Sequence, residues 1–386
     1  MIHGTNLPDA NKRRLLAGIV GGGEGAFIGS VHRIAAELDG QALVVAGAMS
    51  SDPAKAKRSA DAWFLDRSYG SFAEMAQAES KRSDGIDFAM VCVPNHMHFP
   101  VAKAFLEAGI HVVCDKPMTF TLEEAEQLVK IVESKKLVFA LTHNYTGYPA
   151  VRQARAMVQQ GLIGDVRKVL VEYNQDWLMD PIETTGQKQA AWRTDPAKAG
   201  ISNCVGDIGT HAENLLEYIT NVKIKSVCAD FTTFVAGRKL EDDANILLRL
   251  ENGGKGTLVC SQIACGEENN LNIRVYGSKG GLEWHQQEPN TLIFKPAGKP
   301  WEKMRTGLGY MGAEASAATR IPPGHPEGYL EAFANIYRGA IADIRHAKAG
   351  EPLVGGYPTV HDGLRGIRFL VKTVESAKKG AAWVEV

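Results

Sequence analysis

The chain of 386 residues has little that would tie it to a membrane, a metal or a nucleic acid. No apolar run approaches the ~20 residues that cross a bilayer, and Met1 to Arg14 lacks the apolar core of a secretion signal. A cytoplasmic protein without a membrane partner is expected. The six cysteines, Cys92, Cys114, Cys204, Cys228, Cys260 and Cys265, contain no Cys-x-x-Cys pair. Reduced, mostly buried thiols fit that scatter better than disulfides or a metal site, so no metal is expected. A formal net charge of -1 offers no global attraction to nucleic acid, and no internal repeat or low-complexity segment occurs.

What is present is 45% hydrophobic and 23% charged residues, the balance of a globular protein, over a length that suits two domains. In the first 147 residues, strand-like apolar runs alternate with helix-like stretches. The runs are Leu15 to Val20, Ala42 to Ala48, Ile86 to Val93, Gly109 to Cys114 and Leu137 to Leu141. That alternation predicts a parallel, doubly wound sheet. From Tyr148 the rhythm changes to closely spaced strands, with helices at 150–160, 207–220, 329–349 and 358–379. Short loops between strands predict a large open, mostly antiparallel sheet. The expected division is 1–147 and 148–386.

Three constellations carry chemistry. The first is Gly21-Gly22-Gly23-Glu24-Gly25-Ala26-Phe27-Ile28-Gly29, between the first strand and a helix. Glycines admit a pyrophosphate close to the backbone, and helix N–H groups then face its charge. Gly21, Gly23, Gly25, Phe27 and Ile28 are the expected cofactor-loop residues, with Gly29 later than the usual third glycine. By itself such a loop is equally a plain tight turn. At the end of the second strand, Ser50 stands where a ribose-binding acid is usual, next to Ser51 and followed by Lys55, Lys57 and Arg58. That leaves NAD and NADP both open.

The second constellation follows the next strands: Pro94, Asn95 and His98 after one, Asp115-Lys116-Pro117 after another, and Tyr145 beyond a third. In such a sheet ligands bind at the carboxyl ends of the strands. The third is Asp207 and His211, four apart and thus on one face of a helix. A carboxylate beside an imidazole fixes its tautomer and suits a general base, although Asp207 could simply cap the helix and His211 be a half-buried core residue. Nearby in sequence, Gln175-Asp176-Trp177 and Trp192-Arg193 combine aromatic rings with polar groups, which suits a polyol. They would suit a structural or oligomer contact equally well.

Together, the glycine loop, Pro94-Asn95 with His98, Asp115-Lys116-Pro117 and Asp207 with His211 resemble the Gfo/Idh/MocA oxidoreductase family. The resemblance implies an N-terminal Rossmann domain, a C-terminal α/β domain on an open sheet, and a homodimer or homotetramer paired through that sheet. It implies that Lys116, Asp207 and His211 are the active-site residues, with Asp115 where a Glu is usual. It further implies a sugar or cyclitol substrate, whose ring secondary alcohol gives a hydride to the nicotinamide. Gln175-Asp176-Trp177 is similar to the segment in members acting on pyranoses such as anhydrosugars. Either His211 or Lys116 would be the base. One alternative is a glycosidase that oxidises, eliminates and re-reduces without net cofactor use. A non-catalytic dinucleotide sensor is another, which the presence of Lys116, Asp207 and His211 together disfavours.

Overall fold

The computed structural model describes residues 13–386; most of the Met1 to Arg14 stretch therefore lies outside the described residues. The chain divides into two compact units. The first holds the described residues up to Gly147 together with Tyr329–Leu364, and the second holds Tyr148–Gly328 and Arg365–Val386.

The first unit is built on six strands: β1 (Leu15–Gly21), β2 (Ala42–Ala48), β3 (Arg67–Ser68), β4 (Phe88–Cys92), β5 (His111–Cys114) and β6 (Phe139–Leu141). Their order is β3-β2-β1-β4-β5-β6, all parallel. This is the doubly wound nucleotide-binding order. The strands read as continuous apolar runs because both faces are covered; every residue of β4 and β5 is buried. One covering element comes from far along the chain. In the helix Tyr329–Ala349, Phe333, Tyr337, Ala340, Ile341 and Ile344 repeat at helical spacing and share a core with Ile19, Phe88, Met90 and Val113. The simple division at 147/148 therefore needs correction: 329–364 returns to the first unit, because this helix buries its apolar face there.

The second unit carries a sheet of nine strands among the described residues. These are β7 (Val166–Asn174), β8 (Ile224–Thr232), β9 (Asp243–Leu250), β10 (Lys255–Ser261), β11 (Asn270–Gly277), β12 (Gly280–His285), β13 (Thr291–Pro296), β14 (Glu302–Arg305) and β15 (Val384–Glu385). Their order is β14-β13-β12-β11-β7-β10-β9-β8-β15, antiparallel except for the β7–β10 pair. Alternate residues of β9 are buried and exposed, the period of a strand with one covered face. The glycine-bearing stretch 251–254 connects the antiparallel neighbours β9 and β10, and 278–279 joins β11 to β12, as hairpin turns should. The short edge strands β14 and β15 are too brief and polar to announce themselves in sequence.

After β4 the helix Asn95–Glu107 begins at once, with Pro94 as its N-cap. One local expectation changes. Asp207 does not lie in the same α-helix as His211. It sits in a π-helical turn, Val205–Gly209, that leads into the helix Thr210–Thr220. Such wide turns insert a residue at a cost in hydrogen-bond geometry and recur at functional sites.

Candidate active site

In the first unit, parallel registers bring the carboxyl ends of the strands to one edge: Gly21 is opposite Cys92, Val91 opposite Cys114, and Cys114 opposite Leu141. The glycine loop, Val93-Pro94, Asp115-Lys116 and Thr142-His143 all leave from that edge. Gly29 packs so tightly on the loop that a Cβ there would lie 2.3 Å from Gly22 O. Gly21 and Gly22 have φ of +75° and +68°, a region that favours glycine. The helix Phe27–Glu37 has Ala26 as its N-cap and no side-chain cap, so its first N–H groups are not met by a capping side chain.

Asp115 anchors the lysine loop. Its Oδ1 accepts from Lys116 N–H at 2.9 Å and from the Thr142 hydroxyl at 3.0 Å, with His32 Nε2 at 3.8 Å. His32 is wholly buried and its Nδ1 lies 2.6 Å from the Tyr337 hydroxyl. Burial pushes the Asp115 carboxyl up, but His32, Lys116 and His98 together outweigh it and hold the group at about 2. Lys116 is half-buried beside it. His98 lies between two carbonyls, Pro117 O at 2.6 Å and Val93 O at 2.8 Å, and so staples two of the edge loops. A neutral ring donates to one of them; the charged ring donates to both, a state that Asp115 favours and that burial opposes, leaving the pKa lowered. Burial first and Lys116 second bring His143 down to about 3, so it is neutral. Asn95 is buried in the first helical turn, and Tyr145 is buried against Tyr329.

At the end of β2, Ser50 Oγ accepts from Asp52 N–H at 3.1 Å, and Asp52 caps the following helix by accepting from Ala54 and Lys55. Arg58 pairs with Glu24 at 3.4 Å and Lys57 with Asp61. Ser51 is exposed and Lys55 half-buried.

In the second unit the polar cluster lies where β7 and β10 end together, Asn174 opposite Ser261. The Gln175 amide donates to Asn269 Oδ1 at 2.7 Å and accepts from the Trp177 indole at 3.1 Å. Asn269 Oδ1 also takes the Tyr173 hydroxyl at 2.8 Å. Asp176 Oδ2 accepts from Gly266 N–H at 3.1 Å. The Arg193 guanidinium lies 5.6 Å from the Trp177 ring centre and 4.2 Å from that of Trp192. Its Nε–H donates to Asp207 Oδ2 at 3.1 Å. Gln262 donates to the same oxygen at 2.9 Å. His211 is buried, its ring 6.2 Å from that of Tyr173.

The NAD-binding Rossmann fold of one oxidoreductase family matches residues 15–143, and the GFO/IDH/MocA C-terminal domain matches 151–283. The chain belongs to the Gfo/Idh/MocA oxidoreductase family. It is 36% identical to the uncharacterized oxidoreductase YfiI of Bacillus subtilis over 95% of both chains. It is also similar to an inositol dehydrogenase homolog from Azotobacter vinelandii, solved with NAD+, at 36% identity and a TM-score of 0.93, covering 97% of this chain and 98% of that one. The same homolog was solved with NADH and myo-inositol. Levoglucosan dehydrogenase, solved with NADH and levoglucosan, is 25% identical with a TM-score of 0.83, covering 97% of this chain and 100% of that one.

The first unit of this family member is thus an NAD-binding Rossmann domain, and its own residues fit the dinucleotide. The close approach of Gly29 to Gly22 and the uncapped helix N-terminus form the cradle that a pyrophosphate needs. Within the second unit, Gln175, Trp177, Trp192, Arg193 and Asp207 are joined by direct contacts, and His211 through Tyr173 and Asn269. Sequence reasoning missed His32, Thr142 and His143 around Asp115, and Gln189, Asn269 and Gln262 in the second unit. Only Thr142 and His143, immediately after a strand on the ligand edge, carried a positional signal.

Proposed function

We propose that the protein oxidises a ring secondary alcohol of a sugar or cyclitol, with Lys116, Asp207 and His211 as its acid–base residues. The observation that carries this is Lys116 on the same strand edge as the glycine cradle, with its loop pinned by the Asp115 carboxylate. Bound nicotinamide supplies the hydride acceptor. As the carbinol carbon is oxidised, its hydroxyl must lose a proton, and His211 is the base we assign, with Lys116 as the cation that stabilises the developing alkoxide. Gly21, Gly23, Gly25, Phe27, Ile28, Ser50, Ser51, Lys55, Pro94, Asn95, His98, Asp115 and Lys116 serve the cofactor. Tyr145, Gln175, Asp176, Trp177, Trp192 and Arg193 serve the substrate, together with Lys116, Asp207 and His211. The relatives that bind myo-inositol and levoglucosan support an uncharged polyol ring. We further assign a cytoplasmic homo-oligomer, with the second unit as the substrate-binding and oligomerisation domain.

The test is absorbance of reduced nicotinamide while sugars, inositols and glycosides are offered with NAD+ and, separately, NADP+. Reduced cofactor should grow in step with one free sugar or cyclitol. His211→Asn and Lys116→Met should each lower kcat on the order of 10²–10⁴-fold, with NAD+ still bound by the His211 variant. Aglycone release from a glycoside without net reduced cofactor, or full turnover in both variants, would overturn it.

A further inference from the structure

Gln262 follows β10 and is wholly buried. Its backbone is fixed on both sides: its N–H donates to Asp242 O at 2.9 Å, and its carbonyl accepts from Leu178 N–H at 3.1 Å. Of its side chain, the amide nitrogen donates to Asp207 Oδ2 at 2.9 Å, while the amide oxygen is buried with no hydrogen-bond partner among the described residues. An unmet buried acceptor destabilises a fold, and an apolar side chain of similar volume would avoid that cost. Packing alone gives no reason for a glutamine here, and the bond it makes leads to Asp207.

We propose that Gln262 is a positioning residue for Asp207: its amide N–H, acting with the Arg193 Nε–H on one oxygen, holds that carboxylate ionised and in a single rotamer. An amide nitrogen only donates, so a proton on Oδ2 would set hydrogen against hydrogen. The bond therefore selects the charged form. The geometry of the turn adds to this. Asp207 lies in the π-helical turn, whose start is itself fastened by Glu241, with Oε1 accepting from Ser202 Oγ–H and from the N–H groups of Asn203 and Val205, both at 3.1 Å. Gln262, just after β10, and Glu241, just before the adjacent β9, thus hold the side chain and the backbone of one segment. Of the ionisable groups, Arg193 pairs with the Asp207 carboxylate at 3.1 Å, His211 follows it by four residues, and Glu241 fastens the turn that carries it. The proposal rests on Asp207 taking part in proton transfer, but its effect on the carboxylate can be read without turnover.

The test is carboxyl titration of the full chain carrying ¹³C-labelled aspartate, with the Asp207 resonance assigned by its loss in Asp207→Asn. Gln262→Met should raise the Asp207 midpoint by about one pH unit. Gln262→Glu, which sets a second carboxyl against Oδ2, should raise the pair's apparent midpoint by about two. With NAD+ and myo-inositol as probes, Gln262→Met should lower kcat about tenfold with KM within about threefold, and Tm should stay equal or rise because the unmet acceptor is gone. A midpoint unmoved in Gln262→Met, or a fall in Tm with kcat intact, overturns the proposal. Full turnover in Asp207→Asn would instead remove Asp207 from the mechanism, with the titration still deciding whether Gln262 holds its charge.

Discussion

At the scale of residues, Glu241 shows how a buried carboxyl can serve a neighbouring segment at its own expense. Burial raises it from 4.5 to about 7, against the opposing hydrogen bonds from Ser202, Val205 and Asn203. A group whose folded pKa is raised lends stability below its unfolded pKa and loses it as pH rises through the folded value. The wild-type second unit should therefore weaken between about pH 4.5 and 7, by on the order of 3 kcal/mol for a shift of this size. Glu241→Gln keeps the accepting oxygen and removes the titration. Urea unfolding from pH 5 to 8 should give a flatter profile for the variant than for wild type, and equal slopes would show that Glu241 is not the titrating group. Arg238 makes a complementary point. Its side chain is 1% exposed, pairs with Glu183 and Asp242, and donates to the carbonyls of Leu178 and Asp180. That ties the segment after Trp177 to Asp242, whose carbonyl accepts from the Gln262 N–H.

At the scale of elements, the join between β1 and its helix decides cofactor binding. A Cβ on Gly29 would meet Gly22 O, Cα and C at 2.3, 2.4 and 2.7 Å, all backbone atoms that cannot swing aside. Gly29→Ala must open the loop, and NAD+ affinity measured by calorimetry should fall at least about tenfold. Unchanged affinity would place the pyrophosphate elsewhere. A milder case is the helix Leu122–Lys135, opened by a capping box in which Thr121 accepts from Glu124 N–H at 3.2 Å and Glu124 accepts from Thr121 N–H at 3.2 Å. Thr121→Ala should cost about 1 kcal/mol, seen as a Tm about 2–4 °C lower, with NAD+ affinity unchanged.

At the scale of the whole molecule, the buried titrations predict pH responses of opposite sign in the two units. In the first, burial with help from Lys348 lowers His111 to about 4, and burial with help from Lys116 lowers His143 to about 3. The unfolded chain takes up those protons first as pH falls below about 6.5, so this unit loses stability on acidification. The second unit, through Glu241, gains over part of the same range. Hydrogen exchange at pH 5.5 and 7.5, corrected for intrinsic rates, should show the core amides of β4 and β5 less protected at the lower pH and those of β9 and β10 more so. A uniform change in both units would contradict these buried titrations.

The fold class, the alternating strands and helices of the first unit, the glycine loop and the strand-end place of Lys116 were legible in the sequence, because they follow from local rules. Apolar periodicity, backbone freedom at glycine and the capping box at Thr121 each act within a few residues. Tertiary structure alone decided what depends on distant pairing. The helix Tyr329–Ala349 has the same amphipathic stripe whichever sheet it covers, so only packing assigns it to the first unit. Gln262 follows an ordinary strand, and nothing local marks it until the parallel β7–β10 pair and the π-helical turn bring Asp207 within 2.9 Å. Arg193 stands out in the sequence only as a polar neighbour of Trp192, with nothing to pair it with Asp207. It becomes the carboxylate's ionic partner because two indole rings and Gln189 hold its guanidinium in place. A hydrogen bond depends on where two groups meet in space, and that is set by the whole chain.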